Sequence, residues 1–66
     1  MVQKIIDVVG VSPRSFAGAA QNAVQTASRT VRNLKWARVE EFEMELDGKK
    51  VVNYRASVRI YFDVER

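Results

Sequence analysis

Four acidic residues recur at every second position, Glu41, Glu43, Glu45 and Asp47. In an extended chain that spacing puts their carboxylates on one face, roughly 7 Å apart. Carboxylates so arrayed suit a hard cation such as calcium, above all where symmetry brings copies together. The plainer reading is a solvated acidic edge, paired with Lys49, Lys50 and basic residues of a neighbouring subunit, and no metal site is assigned. Catalytic groups are scarcer still. With no Cys and no His, the chain has neither thiolate nor imidazole, so no triad built on either exists. Ser12, Ser15, Ser28 and Ser57 are accounted for by capping, helix surface and sheet surface. Gly10 and Gly18 are isolated and do not make a phosphate loop. No catalytic residue is assigned, and binding is expected rather than an enzyme. Trp36 stands apart: a lone indole between Lys35 and Arg38, at the start of a strand. Two uses fit it, an anchor in a subunit interface and a flat surface on which a planar ligand stacks.

The elements that position these residues follow from pattern. Val2 to Val9 is rich in Val and Ile and ends at Gly10, a strand with apolar residues on both faces, both expected to be covered. Ser12-Pro13 marks a turn and Ser15 an N-cap. Phe16, Ala20, Ala23, Val24, Ala27, Val31 and Leu34 then form one stripe on an amphipathic helix of about five turns. Arg29, Arg32 and Lys35 fall in its last turns, where cations complement the macrodipole. Lys35 to Leu46 and Lys49 to Val64 alternate as strands joined at Asp47-Gly48, a hairpin signal. On the last strand Val52, Tyr54, Ala56, Val58, Ile60, Phe62 and Val64 make the face that meets the helix. The fold class is α+β, in the order β-α-β-β: a three-stranded antiparallel sheet wrapped around one amphipathic helix, as a single domain over residues 1–66.

A two-residue loop at Asp47-Gly48 sets Glu40 opposite Arg55, Arg38 opposite Ser57 and Trp36 opposite Arg59. Trp36, Arg38, Glu40, Arg55 and Arg59 then share the side away from the helix, with Phe42, Met44, Leu46 and Val51 further toward the hairpin end. One helix cannot cover both sides of this sheet, so the outer apolar patch calls for a partner. Sixty-six residues bury only about 60% of their unfolded surface, and without disulfide or thiolate metal site, self-association is the remaining source of stability.

The net charge of +3 is segregated. Arg14, Arg29, Arg32, Lys35 and Arg38 precede the acids Glu40 to Asp47, yet no nucleic-acid motif accompanies them, and no nucleic-acid partner is expected. No run approaches the roughly 18 apolar residues of a membrane span. Met1 to Val9 has no small-residue cleavage site and does not read as a signal peptide. A cytoplasmic location, and no membrane partner, are the expectations.

With these residues in place the sequence resembles the dodecin family, through the opening KIIDVVGVSPRSF, the helical QNAVQTASRTVRNLKW and the closing VVNYRASVRIYF. The resemblance spans nearly the whole chain. It implies a hollow homododecamer of cubic symmetry, whose members bind flavins noncovalently as stacked pairs at subunit contacts near twofold axes. The tryptophan at the position of Trp36 packs against the isoalloxazine, and such proteins look like flavin stores or scavengers that quench photochemistry. The implied cofactor-binding set is Trp36, Arg55 and Arg38; riboflavin, FMN and FAD remain open, and some relatives suggest coenzyme A as a further partner. One departure stands out. Flavin-binding members usually have glutamine where this chain has Arg55, and a guanidinium donates but does not accept. Arg55 retains flavin carbonyl oxygens or a phosphate as acceptors, or Glu40 as a cross-strand partner. Relatives without the tryptophan often carry arginine there, so the chain joins a flavin-type Trp36 to an arginine of the other group. A dodecin-like shell without flavin, holding another small molecule or a cation, is the alternative.

Overall fold

The computed structural model describes residues 2–64. The single domain expected over 1–66 extends beyond them at Met1, Glu65 and Arg66. The order is β1 (Gln3–Ser12), α1 (Phe16–Ser28), β2 (Leu34–Asp47) and β3 (Lys50–Asp63). The strands form one antiparallel sheet in the order β1-β3-β2, so the last strand lies in the middle. The expected β-α-β-β class is therefore the observed one.

Entry into α1 follows the local chemistry. Ser15 is the N-cap, and its Oγ accepts a hydrogen bond from the Gly18 N–H at 2.9 Å, satisfying one of the orphan donors of the first turn. Just before it, the Ser12 Oγ accepts from the Arg14 N–H at 3.1 Å and closes the Ser12-Pro13 turn.

The helix is shorter than its apolar stripe suggests. It ends at Ser28, whose hydroxyl donates back to the Gln25 carbonyl, and Arg29 N–H bonds the Thr26 carbonyl in a tightened final turn. Asn33, at φ 64°, then turns the chain into β2. Val31 and Leu34 lie beyond the helix, although Leu34 still packs against the core. Helical spacing was imitated by residues that reach the same core from a connection. Arg29, Arg32 and Lys35 therefore do not serve the last helical turn, which carries no basic residue.

Alanines set the closeness of helix and sheet. Ala19, Ala23 and Ala27 are buried at four-residue steps against Ala56, Val58 and Ile60 of β3. Ala19 is the deepest of the helical residues, and the stripe read from sequence omits it. Gly10 of β1 faces this ridge: a Cβ there would stand 1.9 Å from the Ala19 carbonyl oxygen and 2.8 Å from the Ala23 nitrogen. Only glycine permits that approach. Around this core lie Ile6, Val8, Ala20, Val24, Leu34 and Tyr54. The expected helix-facing set on β3 is correct at its centre, while Val52 near the hairpin end is exposed.

Two expectations need correction. Within the chain only one face of β1 is covered, for Ile5, Val9 and Val11 are exposed. The hairpin register also differs. Asp47 pairs with Lys50 across Gly48 and Lys49, so the connection is one residue later than Asp47-Gly48, with Gly48 at φ 62°. Trp36 lies opposite Tyr61, Arg38 opposite Arg59 and Glu43 opposite Arg55. Glu40 is the extra residue of a bulge between Val39 and Glu41. Two neighbouring residues there face one partner residue, so the parity of β2 changes. Phe42 consequently turns to the helix side, opposite Ala56, with its ring 4.8 Å from that of Phe16. Tyr54 meets Phe16 edge-on at 5.0 Å. On β2 the expected outer residues Phe42, Met44 and Leu46 are thus misplaced in face, though they and Val51 of β3 remain exposed.

Candidate functional site on the open sheet face

The sheet face away from α1 is a lattice of charge with one indole at its end. Arg59 on the central strand binds both neighbours: its Nε lies 3.1 Å from Asp7 Oδ1 on β1 and 3.3 Å from Glu40 Oε1 on β2. The other oxygen of Glu40 is 3.7 Å from Arg38 Nε. Nearer the hairpin end Arg55 Nη2 meets Glu43 Oε1 at 3.2 Å, and Asn53 Nδ2 donates to Glu45 Oε1 at 2.8 Å. The Asp7 hydrogen bond and charge, then the charge of Glu40, raise the Arg59 pKa above its ordinary value. A raised cationic pKa keeps the pair intact below that range and lets it fail only as pH climbs through the shifted value. Arg59 is therefore cationic throughout the range in which proteins are handled.

Trp36 is 69% exposed and lies on this face, because its neighbour Ala37 takes the helix side with Val24. Arg38, two residues along, shares the face and is largely exposed. The two sit together as expected. Arg55 shares the face but not the place. Tyr61 is the partner of Trp36, and Arg55 lies six residues back along β3, which is roughly 20 Å of strand. Its ion-pair partner is Glu43 rather than the expected Glu40, a consequence of the shifted register.

Glu41, Glu43 and Glu45 do lie along one face, but Glu43 and Glu45 are turned to Arg55 and Asn53 instead of Lys49 and Lys50. Among the described residues no three carboxylates come close enough to hold a metal ion. Sequence reasoning missed the bulge and the aromatic group of Phe16, Phe42 and Tyr54 that it creates. The signal was present in Val39-Glu40-Glu41-Phe42, where two adjacent polar residues break the apolar–polar alternation that runs from Ala37 to Asp47.

A small β-α-β-β subunit with a short alanine-lined helix and an open, charged sheet face defines a recognisable class. The family model described as Dodecin matches residues 2–65. The chain is 39% identical over 61 residues to the calcium dodecin of Mycobacterium tuberculosis, covering 92% of this chain and 86% of that protein. Dodecin of Thermus thermophilus is 30% identical over 64 residues, covering 97% and 93% of the two chains. The solved dodecin of Streptomyces coelicolor superposes with a TM-score of 0.94 at 29% identity, over 98% of this chain and 93% of that one. This chain belongs to the dodecin family.

Proposed function

We propose that the chain is the subunit of a cytoplasmic homododecamer that binds flavin without catalysing a reaction, and that it stores or scavenges that flavin. The observation that carries this reading is the indole of Trp36, 69% exposed on a sheet face that its own helix leaves uncovered. A bulky aromatic held in water by its own subunit is suited to a ring from outside, and a stacked aromatic pair adds about 0.5–1.5 kcal/mol beyond its buried area. Arg38 accompanies Trp36 on the same chain. Arg55 lies too far along β3 to share a ligand with them, so in this reading it comes from another copy and meets the flavin's carbonyl or phosphate oxygens. FMN, riboflavin and FAD all present the required ring, and coenzyme A is a further candidate partner. The exposed Phe42, Met44, Leu46 and Val51 are the surface that assembly covers, at about 1.5–3 kcal/mol for each fully buried side chain before association costs.

Titration of the wild-type protein into riboflavin or FMN tests the reading directly. The flavin's fluorescence is expected to be strongly quenched, and much less by Trp36→Ala. Absence of quenching at micromolar ligand would sink it. A cation-binding shell is the second reading, favoured by the relative named calcium dodecin. It draws on Glu41, Glu43, Glu45 and Asp47, of which Glu43 and Glu45 are engaged within the chain. Equilibrium dialysis separates the two, because calcium uptake in the second reading survives Trp36→Ala and is lost with the acids.

A further inference from the structure

Arg38 and Arg59 are directly opposed on adjacent strands and on the same face. Like charges so placed repel, and an ordinary antiparallel pair has nothing to put between them. Here the carboxylate of Glu40 reaches both, one oxygen 3.3 Å from Arg59 Nε and the other 3.7 Å from Arg38 Nε. Glu40 can do so because it is the additional residue of the bulge and needs no partner of its own on β3. Its side chain is 29% exposed, below every other member of the ion pairs. Asp7 holds Arg59 from the far side, so the row runs Asp7, Arg59, Glu40, Arg38 across all three strands and ends two residues from Trp36.

We propose that Glu40 is a positioning residue for the open face: extruded at the bulge, it holds the facing Arg38 and Arg59 together and so fixes Arg38 beside Trp36. The consequence for ligand binding rests on the flavin reading above; the placement of Arg38 does not. Bulges re-aim side chains, and this one does two things at once. It turns Phe42 toward Phe16 and supplies the acid that two opposed arginines require.

Glu40→Gln keeps the shape and removes the charge, leaving the arginines to repel. The expected result is a flavin dissociation constant raised about fivefold, the scale of a cross-strand charge pair. Adding Arg59→Met to Glu40→Gln removes the repulsion and returns most of that loss, whereas a merely structural Glu40 would make the second substitution neutral or harmful. Lys50→Met, an equal loss of positive charge at the hairpin end, is expected to leave binding unchanged. The ligand-free readout is Trp36, the only tryptophan of the chain. Its fluorescence anisotropy and the amide exchange of Val39 to Phe42 should show a looser segment in Glu40→Gln and recovery in the double variant, with the melting temperature hardly moved. No change in Glu40→Gln, or no recovery in the double variant, overturns the proposal. If wild type binds no flavin, the flavin reading falls alone, and the anisotropy and exchange results still decide the role of Glu40.

Discussion

The end of the molecule under α1 and the β2–β3 arm obey different rules. Under the helix, Ala19, Ala23 and Ala27 close on Ala56, Val58 and Ile60, and Gly10 allows the backbones to touch. There small size is the specification, and nothing apolar is wasted on water. Along β2, by contrast, no residue is buried over fourteen positions, and Trp36, Phe42, Met44 and Leu46 are all open. On its helix side the first region is finished by its own chain. The second is written for contacts that its own chain does not provide, so the fold is secured at one end and used at the other.

Substitutions should divide along that line. Gly10→Val sets a side chain against the Ala19 carbonyl and is expected to cost about 3 kcal/mol or more, enough to leave so small a domain unfolded by circular dichroism. Ile60→Ala, in the same region, should cost about 2–5 kcal/mol through cavity formation, read as a lower denaturant midpoint. Phe42→Ser on the arm is expected to act elsewhere. Its ring meets Phe16 yet stays 58% exposed, so in the assembly proposed above the change should lower the sedimenting mass toward the 7.5 kDa subunit while far-ultraviolet dichroism stays native. A Phe42→Ser chain that unfolds outright would erase the distinction between the two regions. Ser15→Ala should cost only about 1 kcal/mol through the lost cap, visible as a small fall in melting temperature with the assembly retained.

What could be read from the sequence divides similarly. Order and type of the elements, the Ser15 cap and the helix-facing centre of β3 were legible, because one-sided burial imposes a period. The helix end was not, since Val31 and Leu34 keep helical spacing while reaching the core from an irregular connection. The hairpin register failed for a different reason. Asp47-Gly48 is a local signal worth one turn, and it cannot count the bulge at Glu40, on which the facing of everything between Val39 and Leu46 depends. Trp36 and Arg38 lie on the open face as expected even so, because the later turn, a register shift between Glu45 and Leu46 and the bulge at Glu40 together leave their parity unchanged. Arg55 was given the right face and the wrong partner, and its distance from Trp36 follows only from the true pairing.

The strand order has a consequence for synthesis. β1 is made first, yet its sole partner in the sheet is β3, and Gln3 pairs with Asp63 at the far end of the chain. At about 5–20 residues per second, the apolar KIIDVV run and the alanine ridge of α1 wait several seconds for the strand that shelters both. A nascent chain of this topology has little to gain from folding piecemeal. Pairing across such a sequence separation is slow to nucleate, so the emerging β1 is the segment on which chaperone capture or premature aggregation should first be sought.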